Sequence, residues 1–300
     1  MMRDKMEREI DMNRRRLLGT GVAALSMMAL PGCAEFQALD RVGLARKRPG
    51  IQLYTVRAAM EQDVPGTLKA IAGMGYGEVE FAGYFDAGPA ECRRIVADLG
   101  MTAPSGHVQA RDVRDAPQKV VDVAAEAGHD YVTIGWLHPD DRQTISQYQE
   151  WATACNRIGE LCKKAGMRFA YHNHDFEFVP IGGNVPYDVL MLETDPELVD
   201  FELDFYWVQR AGKSIESVLA FAPERFPMAH IKDMDTAGNM TDVGTGTIDF
   251  ASILGNKEIS RIKHLFAERD DAPDPFKSAA ISHAGLQDII DRAYPRNLFG

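Results

Sequence analysis

The chain has 300 residues, with 33 Lys and Arg against 44 Asp and Glu for a net charge of −11, and 45% of its residues are hydrophobic. That is enough apolar chain for one large globular domain, and so acidic a surface repels phosphate backbones and anionic headgroups, which argues against a nucleic-acid partner. Of the cysteines, Cys33, Cys92, Cys155 and Cys162, none forms a CxxC pair. Cys155 and Cys162 would stand roughly 10 Å apart on one helix, so no structural disulfide is expected.

The chain begins with a basic stretch, Arg3, Lys5, Arg8, Arg14, Arg15 and Arg16, and residues 17–32 then carry no charge. This apolar run is shorter than the about 20 residues that span a bilayer and suits the core of a signal peptide. Asn13-Arg14-Arg15-Arg16-Leu17-Leu18 resembles a twin-arginine export signal, and Leu30-Pro31-Gly32-Cys33 resembles a lipoprotein cleavage box with Cys33 as the acylated residue. The expectation is a signal peptide over 1–32, a tether over 33–49 and one domain over 50–300. The protein would be periplasmic, with a lipid at Cys33 as its only link to the membrane. Cleavage removes six basic and four acidic side chains, leaving 27 against 40 and a net charge of −13.

From Pro49 the pattern alternates. Ile51–Val56 reads as a strand and Val64–Met74 as a helix closed by Gly75. Glu78–Ala82 is a second strand, followed by a helix over Ala90–Leu99. Ala103–Val108 is a third strand, with its helix over Pro117–Ala127 stopped by Gly128. Tyr131–Trp136 is the fourth strand, and Gln143–Ala165 a long helix ended by Gly166. The fifth strand runs into Tyr-His-Asn-His, residues 171–174, whose spacing places His172 and His174 on one face and Asn173 on the other. Leu198–Phe205, Met228–Met234 and Ile262–Ala267 supply the last three strands, with helices over Ile215–Phe221, Phe250–Leu254 and Ser278–Arg292. Eight strands alternating with helices predict a single-domain α/β fold, a (β/α)8 TIM barrel. Gly244-Thr245-Gly246-Thr247 reads as a plain turn rather than a phosphate cradle.

In such a barrel, chemistry gathers at the carboxyl ends of the strands. Those ends offer Glu80, His107, Trp136, His172, His174, Glu202, Asp204, His230, Lys232 and Glu268, a set too polar for core filling. A buried carboxylate without a partner costs several kcal/mol or takes up a proton. Asp204, His230 and Glu268 with a strand-five histidine therefore read as a site for one divalent metal ion, with Mn, Co, Zn, Fe and Mg all compatible with mixed oxygen and imidazole donors.

Gln52–Arg57, Gly75–Phe81, Tyr171–Phe178, Asp204–Val208 and His230–Asp233 together resemble the sugar phosphate isomerase/epimerase family of xylose isomerase-like barrels, over nearly all of residues 50–292. The resemblance implies a metal held by Glu, Asp, His and Glu from strands five to eight, which carries over to Asp204, His230 and Glu268. Strand five departs from the pattern: Ala170, Tyr171 and His172 stand where ketose epimerases of the family place a glutamate. His172 is taken as the fourth ligand, and Glu268, His172 and His174 as the acid and base groups. His107, Trp136, Glu177, Trp207 and Lys232 are expected to contact substrate.

The resulting expectation is an isomerase or epimerase of a sugar or polyol that removes a proton beside a metal-polarised carbonyl. A lyase or dehydratase acting on a keto-sugar, keto-glycoside or inosose is the alternative with the same site, because only Glu268 remains of the facing carboxylate pair. A non-catalytic exported sugar-binding protein is the alternative of another class. Phosphorylated sugars are scarce outside the cytoplasmic membrane, so the expected substrate is unphosphorylated.

Overall fold

The structure, a computed structural model, describes residues 47–295, so the expected leader and all but the end of the tether lie outside the described residues. In chain order the strands are β1 (Gly50–Gln52), β2 (Glu78–Phe81), β3 (Thr102–Val108), β4 (Tyr131–Ile134), β5 (Arg168–His172), β6 (Val199–Asp204), β7 (Met228–Ile231), a short pair β8 (Asp233–Met234) and β9 (Met240–Thr241), and β10 (His264–Ala267). β1 to β7 and β10 close into an eight-stranded barrel, and every barrel pair is parallel. At the closure a side chain on Gly50 would meet Phe266 Cδ1 at 2.7 Å and the Leu265 carbonyl at 2.8 Å, so glycine is what lets β1 approach β10.

The helices are α1 (Arg57–Gln62), α2 (Val64–Gly73), α3 (Pro89–Asp98), α4 (Ala110–Asp115), α5 (Pro117–Ala127), α6 (Ile145–Lys164), α7 (Pro186–Glu193), α8 (Phe205–Arg210), α9 (Ile215–Phe221), α10 (Phe250–Gly255) and α11 (Pro275–Ala293). Their ends follow from local chemistry. Thr144 and Gln147 form a capping box at the start of α6, Asp63 and Asp274 cap α2 and α11, and Gly128 ends α5 in the left-handed region. The sequence reading passed over α7, whose apolar residues are not gathered on one face. Cys92, Cys155 and Cys162 are free and buried.

Three strand ends differ from expectation. The first strand stops at Gln52, and Leu53–Val56 form a helical turn instead. The fourth ends at Ile134, which leaves Trp136 on the following loop. The seventh leaves the barrel after Ile231, because Asp233 and Met234 pair antiparallel with Met240 and Thr241. The Asp233 carboxylate accepts backbone N–H groups from Met234, Gly244, Gly246 and Ile248 at 2.8–3.3 Å, so the Gly-Thr-Gly-Thr turn is wrapped around an internal anion.

Inside the barrel the alternation of each strand builds layers. At the amino-terminal end Arg168 pairs with Asp200, and His264 with Glu78 at 3.0 Å. Above them Tyr131, Ala170, Met228 and Phe266 form a small apolar plug. Two residues beyond Ala170, Met228 and Phe266 stand His172, His230 and Glu268, and Glu202 lies two beyond Asp200 on β6. An interior usually filled by Val, Ile and Leu is here polar above the plug.

Candidate metal centre and active site

His230, on β7, is fully buried. Its Nε2 lies 2.6 Å from Glu80 Oε2 and 3.1 Å from Glu202 Oε2, and its Nδ1 lies 2.7 Å from Glu268 Oε2. His172 Nδ1 lies 3.3 Å from Glu202 Oε2 and its Nε2 3.9 Å from Asp204 Oδ2. His107 Nε2 lies 2.8 Å from Glu202 Oε2 and 3.3 Å from Glu80 Oε2, with its ring stacked 5.2 Å from that of His230. Lys232 Nζ stands 3.2 Å from Asp204, 2.9 Å from Glu268 and 3.1 Å from Asp270.

These contacts set the charges. Burial opposes ionisation of Glu80 and Glu202, yet the facing His107 and His230 hold both below the usual carboxylate range, Glu202 at about 2. Burial likewise opposes charging His107, but Glu80 and Glu202 raise it to about 9. Glu268 is pulled down, against its burial, by Lys232 and His230. Burial, helped by neighbouring cations, keeps His172 and His174 neutral. Asp270, which the sequence reading did not single out, lines the same pocket, and burial beside Glu268 lifts it to about 7.

The donor set fits a divalent cation. One ligand atom from each of Asp204, His230 and Glu268 lies within 4.8 Å of the others; all three side chains are buried, the two carboxylates share the Lys232 ammonium, and His230 Nδ1 has no aligned hydrogen-bond partner. The 2.7 Å approach of His230 Nδ1 to Glu268 is close but not aligned as a hydrogen bond. With Nε2–H directed to Glu80, His230 can offer its Nδ1 lone pair, the arrangement in which a carboxylate behind an imidazole fixes tautomer and orientation. His172 falls in an overlapping cluster with His107, Glu202 and His230, and its Nε2 also lies 3.9 Å from Asp204 Oδ2. It too has a carboxylate, Glu202, behind one nitrogen.

The pocket above holds about 440 Å³ and is lined by His107, Trp136, His172, His174, Lys232 and Glu268 among others. β5 ends at His172 and His174 lies on the loop that follows, yet both imidazoles reach the pocket, while Asn173 turns away and accepts the Asp204 backbone N–H at 3.0 Å. Trp207 stands beside His174 at 5.4 Å between ring centroids, and its backbone N–H donates to Asp204 Oδ1 at 2.9 Å. Glu177 requires a correction. It is fully buried outside the pocket lining, where its carboxylate accepts the Tyr171 hydroxyl at 2.7 Å and the His174 N–H at 2.8 Å, so it holds the His174 loop rather than substrate. Glu80 and Glu202 were legible as strand-end carboxylates. That they stand behind imidazoles was not, because the pairing crosses the barrel.

The xylose isomerase-like TIM barrel family model matches residues 68–256. Inosose dehydratases of Clostridium perfringens and Lacticaseibacillus casei are 28% identical to the chain over 130 and 132 residues, in each case 42% of this chain and 43% of theirs. The chain thus spans less than half the length of the curated relatives it matches. A sugar phosphate isomerase/epimerase from Parabacteroides distasonis superposes with a TM-score of 0.71 at 25% identity, over 84% of this chain and 95% of that one. An IolI protein with a bound zinc atom shares the fold, with a TM-score of 0.67 at 13% identity over 83% of this chain and 100% of the other. The closed eight-stranded barrel and the family match over most of its length agree, and the chain belongs to the xylose isomerase-like TIM barrel family.

Proposed function

We propose that the protein is a divalent-metal-dependent enzyme that removes a proton beside the carbonyl of a sugar or polyol and completes an isomerisation or epimerisation. The observation that carries this reading is the convergence of ligand atoms from the buried Asp204, His230 and Glu268 within 4.8 Å of one another, at a pocket that also presents neutral imidazoles. His172, with Glu202 behind it, is the fourth ligand in this reading. A bound ion would polarise the substrate carbonyl and acidify the adjacent C–H.

The chain's own groups do the rest. Glu268, kept ionised by Lys232 and His230, is a base. His174, uncharged and with an unpartnered Nδ1, receives or returns a proton from the β5 side. Lys232 and His107 present cationic donors to substrate oxygens, and Trp207 supports the His174 ring.

A second reading, β-elimination, is favoured by one feature: β5 supplies His172 where a second carboxylate would serve a symmetric proton exchange. In that reading Lys232 or His107, the cationic groups of the pocket, would protonate the departing oxygen. The experiment incubates metal-loaded protein with a panel of keto-sugars and inososes in deuterated water. Deuterium incorporation with an isomeric product supports the first reading, and a conjugated carbonyl absorbing in the ultraviolet supports the second. Glu268→Gln should abolish either. Metal and sugar binding without exchange in the unsubstituted protein would instead support a binding protein.

We also propose export to the periplasm, supported by residues 13–33. Among the described residues no helix is long and apolar enough to cross a membrane. Replacing Arg14 and Arg15 with Lys should hold the protein in the cytoplasmic fraction, and labelling with a fatty acid tests Cys33.

A further inference from the structure

Two aromatic side chains at the pocket are seated for a ligand that the metal end would not touch. Tyr54, just past β1, is 43% exposed, and Trp136, just past β4, is 46% exposed, and both line the cavity. Among the described residues the other exposed large apolar side chains, Val179, Leu192, Phe221 and Phe276, lie outside that lining. Leaving two large rings in water is costly unless something covers them in use.

Both rings are held in place. The Tyr54 N–H donates to the buried Gln52 Oε1 at 3.0 Å, and the Arg57 guanidinium lies 4.1 Å from the Tyr54 ring while donating to the Tyr54 and Asp270 carbonyls. His138 packs edge-on to Trp136 at 5.8 Å, and the Arg142 guanidinium lies 5.6 Å from its ring. β1 and β4 are separated by two strands of the eight-stranded wall, so the rings flank the mouth rather than stacking on each other. The cavity of about 440 Å³ is more than twice what a single pyranose fills.

We propose, resting on the carbohydrate reading above, that the site takes a glycoside. One ring reaches His172, Lys232 and Glu268, and a second pyranose lies between Tyr54 and Trp136. The indole and phenol faces meet the C–H faces of that second ring, and the exposed Gln109 in the same lining meets its hydroxyls.

The test is calorimetric titration of the metal-loaded full chain with glucose, maltose and cellobiose. At least one disaccharide is expected to bind about tenfold more tightly than glucose, and the ratio should fall towards unity in a Tyr54→Ala, Trp136→Ala double variant. Trp136→Phe, which keeps a flat face, should retain most of the advantage. Equal affinities for all three sugars, or an advantage that survives loss of both rings, overturns the second-ring site and leaves the carbohydrate reading standing. No binding of any of the three overturns both.

Discussion

His230 Nε2 and Glu80 Oε2 meet at 2.6 Å across the barrel interior, β7 to β2, and that contact decides which imidazole nitrogen faces Glu268. The same Glu80 oxygen also accepts the Gln52 amide at 2.7 Å, so its position is fixed from two sides. Replacing Glu80 with Gln removes the charge and loosens the tautomer of His230. Metal affinity should fall by about 10- to 100-fold with the barrel intact. A chelator-competition titration with circular dichroism measures both, and unchanged affinity would remove Glu80 from the metal centre.

Lys232 is almost fully buried among Asp204, Glu268 and Asp270. Lys232→Met strips the carboxylates of their cation and should destabilise the metal-free protein by about 3 to 5 kcal/mol. A divalent ion would replace part of the lost charge, so the rise in Tm on adding metal should be larger in the variant than in the unsubstituted protein. Scanning calorimetry with and without chelator reads both, and equal metal shifts would contradict the charge argument.

Glu177 supplies a pH dependence of known sign. Burial raises its pKa from an ordinary 4.5 to about 7, although the hydrogen bonds from Tyr171 and His174 pull the other way. Between those values the folded chain holds a proton that the unfolded chain has released, so its contribution to stability falls as pH rises through the window. The shift corresponds to on the order of 3 kcal/mol. Glu177→Gln cannot ionise. Relative to the unsubstituted protein it should gain stability by roughly that amount between about pH 4.5 and about pH 7, as followed by urea unfolding. A difference that stays flat with pH would place the carboxyl outside this account.

Gly135 follows β4 where His107 needs room: a Cβ there would lie 2.5 Å from His107 Nδ1 and 3.0 Å from its Cγ. Gly135→Ala should push the imidazole off Glu202 and Glu80. Turnover is expected to drop by about tenfold or more, while metal content, set by other residues, is kept. Kinetics paired with elemental analysis checks this, and full activity would mean that His107 has no part in the reaction.

The sequence by itself determined the architecture, because it is written in local signals. Apolar runs of strand length, helices closed by Gly128 or Gly166, and spacings of two at residues 172/174 and 202/204 all survive in the folded chain. It also named half of the pocket lining, His107, Trp136, His172, His174, Lys232 and Glu268, since alternation along a strand tells which side chains share a face.

Tertiary structure alone decided what those side chains do to one another. Glu80 and His230 are 150 residues apart, and only barrel closure makes one the support of the other. Asp233 ends β7 because its carboxylate captures amides from a turn more than ten residues on. Glu177 follows the histidines closely enough to look like a ligand, yet the turn after His174 buries it against Tyr171. Periodicity fixes the direction of a side chain relative to its own strand. Partner, charge and hydrogen-bond state depend on strands that are remote in sequence, and those exist only once the barrel has closed.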